Sequence, residues 1–118
     1  MEYVDGFVLP VPKKRVKEYL KMAKLASKVW RDHGALDYRE CVADDISVGK
    51  RTSFPRSVKM KSGETVVLAW ITYKSRKHRD AVNKKAMKDK RFDKYKNVKS
   101  MPFDMKRMFW GGFQTIVT

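Results

Sequence analysis

The segment Glu64 to Tyr73, ETVVLAWITY, limits what this chain can fold into more than any other stretch. It is rich in β-branched and aromatic residues and follows the Ser62-Gly63 turn, so it reads as a strand, with successive side chains on opposite sides. Val66, Leu68 and Trp70 share one side, while Val67, Ala69 and Ile71 share the other. The last strand, Arg107 to Val117, repeats the pattern with Met108 and Trp110 opposed to Phe109 and Phe113, and its Gly111-Gly112 pair marks a bulge or a close backbone approach. A sheet that is apolar front and back needs a cover on each side.

Local periodicity supplies the other elements. Tyr3 to Val11 reads as a strand, and Pro12 opens a helix over Lys13 to Arg31. Val16, Tyr19, Leu20, Ala23, Ala26, Ser27 and Trp30 fall on one side of that helix at the i, i+3, i+4, i+7 spacing of an amphipathic face. Gly34 ends the helix, and a strand follows from Leu36 to Ala43. Asp44 to Ser57 has turn formers and no period, and reads as a loop. Ser75 to Lys88 places His78, Ala81, Val82, Lys85 and Ala86 on one face of a second helix, and Asp89 to Asp104 reads as a Lys-rich loop.

The order β-α-β-β-α-β predicts an α+β, ferredoxin-like fold spanning residues 1–118 as one domain. Right-handed crossovers put both helices on the same side of a four-stranded antiparallel sheet. The other face is left open, at roughly 19 × 20 Å, or about 400 Å², for four strands of six residues. Monomers seldom expose an apolar patch of that size, so the expected cover is a second copy stacked sheet to sheet, giving a homodimeric α/β barrel.

Composition narrows the class. Twenty-eight Lys and Arg against thirteen Asp and Glu leave a net charge of +15, which raises RNA or another polyanion as a partner. One cysteine excludes an internal disulfide, and with two histidines no zinc spacing exists, so neither metal nor cofactor is expected. No run approaches the ~20 apolar residues that span a bilayer. Glu2 and Asp5 stand where a signal peptide is basic, so no membrane association and a cytoplasmic location are expected.

The segments YVDGF (Tyr3 to Phe7), ECVADD (Glu40 to Asp45), AWITY (Ala69 to Tyr73), RDAVNKKAMKD (Arg79 to Asp89) and MPFDMKRMFWGGF (Met101 to Phe113) resemble the YbaA-like family, over nearly the whole chain. The resemblance implies a dimeric α/β-barrel protein related to antibiotic-biosynthesis and haem-degrading monooxygenases, within a family of no settled activity. The chain departs from the family pattern in its high basic charge, in Lys90 after Asp89 and in Met105.

Candidate residues follow from these placements. Asp5 lies between Tyr3 and Phe7 on its strand face, where a carboxylate acts as a general base of raised pKa or forms an ion pair, with Arg107 as the suggested partner. Asp104 is a second candidate base, beside Phe103 and Arg107 at the start of the last strand. Trp70, His78 and Trp110 complete a set of aromatic and imidazole groups for a ligand wall; the haem-degrading relatives imply a tryptophan and a histidine on the corresponding third strand and second helix. Cys41 reads as buried packing. Lys14, Lys17, Lys21, Lys24 and Lys28 form a stripe opposite the apolar side of the first helix, and Lys94, Lys96 and Lys99 follow in the late loop. They form either a solvated face or a phosphate-binding one. The residues specify no reaction. They favour a small, mostly apolar ligand between sheet and helices, of the cofactor-independent monooxygenase kind, over a non-enzymatic RNA-associated protein.

Overall fold

The computed structural model describes residues 1–97 and 99–118 in full. A strand β1 (Tyr3–Pro12) runs into a single 3-10 turn and then α1 (Val16–Asp32), followed by β2 (Asp37–Val42), a short helix α2 (Phe54–Ser57), β3 (Glu64–Tyr73), α3 (Arg76–Ala86), a run of 3-10 turns, and β4 (Phe109–Gln114). The four strands make one antiparallel sheet in the order β2-β3-β1-β4, the ferredoxin-like arrangement expected from the sequence.

β1 pairs with β3 over its whole length, from Tyr3 opposite Tyr73 to Pro12 opposite Glu64, but with β4 only from Tyr3 to Val8. Pro10 and Pro12 therefore lie past the end of β4, where their missing N–H groups cost the sheet least. Leu9, Val11, Val67 and Ala69 pack on Tyr19, Met22 and Ala23 of α1 and on Phe103 to form the main core. Ile71, Tyr73, Val82 and Ala35 form a second cluster toward α3.

Four expectations are corrected. The buried stripe of α1 is Tyr19, Met22, Ala23 and Val29, while Leu20 is 49% exposed, so the helix is rotated from the position its leucine suggested. On α3 the buried residues are Arg79, Val82 and Ala86, and Ala81 and Lys85 face solvent. A buried carboxylate on β1 draws the arginine inward, which hydropathy periodicity does not register. The 44–57 loop contains α2, capped by Ser53, whose Oγ accepts from the Arg56 N–H at 3.1 Å. Val58 just beyond it packs on Val8 and Val66, so this end of the far sheet face is covered from within the chain.

β4 is also shorter than the expected Arg107 to Val117, because Asp104 caps a 3-10 turn over Met105–Arg107 and the ladder ends opposite Tyr3. Its glycines form no bulge, since Gly111 and Gly112 stay in register with Gly6 and Asp5. The close approach is real: a Cβ on Gly112 would collide with the Tyr3 hydroxyl.

Candidate functional site

Between the sheet, α1 and the 87–108 segment lies a cavity of about 320 Å³. Phe7, Leu9, Ala69 and Ile71 form its floor from β1 and β3. α1 contributes Tyr19, Met22, Ala26 and Trp30, and the late segment closes over with Phe92, Tyr95, Met101 and Phe103. Aromatic rings and methionine thioethers make most of the wall. The volume is at the lower end of what small-molecule sites occupy.

At one end of this apolar space sits a carboxylate. Glu40 on β2 shares its strand face with Tyr38, two residues away, and both line the cavity. The Tyr38 hydroxyl donates to Glu40 Oε2 at 2.7 Å, and the Tyr19 hydroxyl, reaching across from α1, donates to Oε1. Burial pushes the Glu40 carboxyl above its ordinary range, and the two tyrosine hydrogen bonds oppose that rise. Burial and the adjacent Glu40 charge push both phenols upward, so they stay protonated donors. The arrangement holds a carboxylate of raised pKa in a mostly apolar site, a setting typical of acid–base and ligand-binding carboxylates.

A second polar cluster adjoins the cavity through Phe7 and Trp30. Asp5 is 1% exposed, and Arg79 Nη1 donates to its Oδ1 at 2.7 Å. The guanidinium also donates from Nε to Asp80 at 2.8 Å and lies over the Tyr3 ring at 5.0 Å and the Trp110 ring at 5.9 Å. Phe7 stacks on Trp110 with centroids 6.1 Å apart. Trp30 Nε1 and the Tyr73 hydroxyl both donate to Asn83 Oδ1, at 3.0 and 3.1 Å. Burial pushes the Asp5 carboxyl up, and the adjacent Arg79 guanidinium pulls it down.

The residues singled out in the sequence are thus dispersed. Phe7 and Phe103 line the cavity, and Tyr3, Asp5 and Trp110 gather around Arg79 beside it. Asp5 has an ion-pair partner, but it is Arg79 and not Arg107. Arg107 instead forks onto Glu64, at 2.8 and 2.6 Å, and bonds Asp104 at 2.9 Å and the Lys59 carbonyl at 3.1 Å. The Arg107 hydrogen bond holds Asp104 below the usual carboxylate range, the opposite of what a base needs. Trp70 is opposite Gly6 on the far face, so it takes no part in the cavity wall. His78 is spent on the start of α3: its N–H donates to Ser75 Oγ, and its Nδ1 accepts from the Lys74 N–H at 3.0 Å. Cys41 is exposed and not buried, on the far face of the edge strand β2. Lys17, Lys21, Lys24 and Lys28 are exposed along α1 and Lys14 in the 3-10 turn before it, and Lys94 and Lys99 are exposed in the late segment; Lys96, also exposed, borders the cavity.

Glu40 and its tyrosines did not stand out in the sequence. The available signal was a carboxylate alternating with Tyr38 at an inward-facing position of a strand, together with a tyrosine on the apolar stripe of the preceding helix.

The family described as "Protein of unknown function (DUF1428)" matches residues 2–105. The chain belongs to the DUF1428 family. It is 45% identical over 117 residues to the uncharacterized protein YbaA of Escherichia coli (strain K12), with 99% of this chain and 98% of that protein aligned. The Shigella flexneri protein of the same name gives the same figures. Among solved structures, the de novo designed protein Foldit4 aligns over 98% of this chain and all of its own, with a TM-score of 0.48 and 13% identity. The DUF1428 match takes in Asp5, Tyr19, Tyr38, Glu40 and Arg79, while Met108 of the cavity wall and Trp110 beside Arg79 lie beyond it.

Proposed function

We propose that the protein binds a small, mostly apolar molecule in the cavity under α1, with one polar group of that molecule set against Glu40. The observation that carries this reading is a carboxylate held by two tyrosine hydroxyls at the end of an otherwise apolar space of about 320 Å³. A buried carboxylate costs folding free energy, and a structure keeps such a group most readily where it serves a ligand. Cofactor-independent oxygenation by dioxygen, the activity that the resemblance noted in the sequence implies, begins with loss of a proton from an enolisable substrate, and on this reading Glu40 accepts that proton in place of Asp5 or Asp104.

The same reading takes the active unit as a homodimer. Leu68, Phe109 and Phe113 are 39%, 47% and 65% exposed and share the far face with Trp70, in the part that α2 and Val58 leave uncovered. A second copy with the same face is the self-complementary cover.

Thermal denaturation with 2-phenylethanol, a neutral aromatic with one polar end, tests the cavity. At 100 times its dissociation constant a ligand adds about 2.7 kcal/mol, so the melting temperature rises. In Ala26→Phe, which fills the space from α1, the rise disappears. An unchanged wild-type melt, or the same rise in the filled variant, refutes the reading.

A further inference from the structure

Six carboxylates are withdrawn from full exposure: Asp5, Asp37, Glu40, Glu64, Asp89 and Asp104. Five are paired with arginine. Asp5 has Arg79 at 2.7 Å, Asp37 has Arg39 at 3.1 Å and Arg31 at 3.2 Å, and Glu64 has Arg107 at 2.6 Å. Asp89 has Arg91 at 2.8 Å, and Asp104 has Arg107 at 2.9 Å. Among the described residues Glu40 is the exception, in a chain whose cations outnumber its acids by 28 to 13. Scarcity of cations is not the reason. Lys96, the cation on the cavity wall, forms its ion pair with Asp93 at 2.9 Å.

Hydrogen-bond direction narrows the missing partner. Tyr19 and Tyr38 each spend their one O–H on a Glu40 oxygen. Glu40 therefore offers lone pairs and a negative charge, and neither tyrosine hydroxyl bonded to it has a proton left to donate, while most of the cavity wall is carbon and sulfur. Aromatic faces beside the carboxylate suit a cation further. Burial raises both Asp5 and Glu40, but at Asp5 a guanidinium opposes the rise, whereas at Glu40 only the two tyrosine hydroxyls do.

We propose that the cavity takes a hydrophobic amine bound as its ammonium ion, which donates N–H to the Glu40 carboxylate while its apolar body lies against Phe7, Trp30 and Phe103. This rests on the ligand-binding reading above and adds the chemical class of the ligand.

Calorimetric titration of the full chain at neutral pH with three probes of one shape tests it: 2-phenylethylamine, 2-phenylethanol and 3-phenylpropionate. The amine is expected to bind about tenfold or more tighter than the alcohol, the usual margin of a charge-assisted hydrogen bond, and the carboxylate weakest. Glu40→Gln should lower amine affinity by a similar factor and alcohol affinity by less, because the alcohol loses a hydrogen bond to a charge but no ion pair. An alcohol as tight as the amine, or amine binding unchanged in Glu40→Gln, overturns the ammonium assignment and leaves the cavity reading standing. Failure of all three probes to bind at millimolar concentration overturns both. The wild-type series needs no variant, so a Glu40→Gln protein that folds poorly does not shelter the proposal.

Discussion

Breaking the Asp5–Arg79 pair gives the sharpest test of how this fold is held together. The carboxylate is 1% exposed and the arginine side chain 10%, so removing either partner strands a charge that water cannot reach. Loss of one member of a buried pair costs about 3–5 kcal/mol. Asp5→Ala should fall near the lower value, because Asp80 still accepts from Arg79 Nε at 2.8 Å and the Tyr3 and Trp110 rings still flank the guanidinium. Arg79→Met should fall near the upper one, because it leaves Asp5 without its cation. For 118 residues the unfolding entropy is about 0.25 kcal/mol/K, so 3 kcal/mol lowers the melting temperature by about 12 °C. The double variant Asp5→Ala/Arg79→Met strands nothing, and should be no worse than the milder single. Urea unfolding of the four proteins, followed by far-UV circular dichroism, closes the cycle. Single-variant costs that add in the double to within about 0.5 kcal/mol refute the coupling, and with it the account of why α3 turns an arginine inward.

Leu68→Asp and Phe113→Asp on the far sheet face should shift the protein from twice 13.9 kDa to 13.9 kDa in sedimentation at micromolar concentration, with little change in circular dichroism. A wild-type particle of 13.9 kDa ends the dimer proposal. Gly112→Ala should cost about 1–3 kcal/mol because its Cβ meets Tyr3, while Gly111→Ala, whose nearest neighbour is Phe113 Cε1 at 3.6 Å, should cost little in the same unfolding assay. Glu40 titrates higher folded than unfolded, so the native state holds the extra proton and Glu40's contribution to stability falls as pH rises from its ordinary value of 4.5 through its raised native one. Glu40→Gln lacks that term, and its stability relative to wild type should improve as pH rises above 4.5; a difference flat with pH contradicts the assigned direction.

The fold was legible because its signals are local. Alternation in ETVVLAWITY, the i, i+3, i+4 spacing ahead of Gly34, and the order of elements each depend on neighbours a few residues apart, and they were enough to reach a four-stranded ferredoxin-like sheet. The assignment of Trp70 and Ile71 to opposite faces came from the same two-residue period. Charged residues behaved differently. Arg79 fell outside the helix face read from the sequence, and its inward turn follows only once Asp5, 74 residues away, is placed beneath it. Arg107 was expected to reach Asp5 and instead serves Glu64 and Asp104, because Asp104 turns the chain just before β4 begins.

The cavity was legible least of all. Its walls come from β1, α1, β2, β3 and a late segment without regular periodicity, and Glu40 gains its significance only when Tyr19 crosses from α1 to meet it. Sequence by itself determined which residues alternate, which stretches hold the two long helices, and that both sheet faces are apolar, because these are properties of short stretches of backbone. Which carboxylate received an arginine, and which was left facing an apolar space, was decided only by tertiary packing, since ion pairing and burial join residues that the chain keeps far apart.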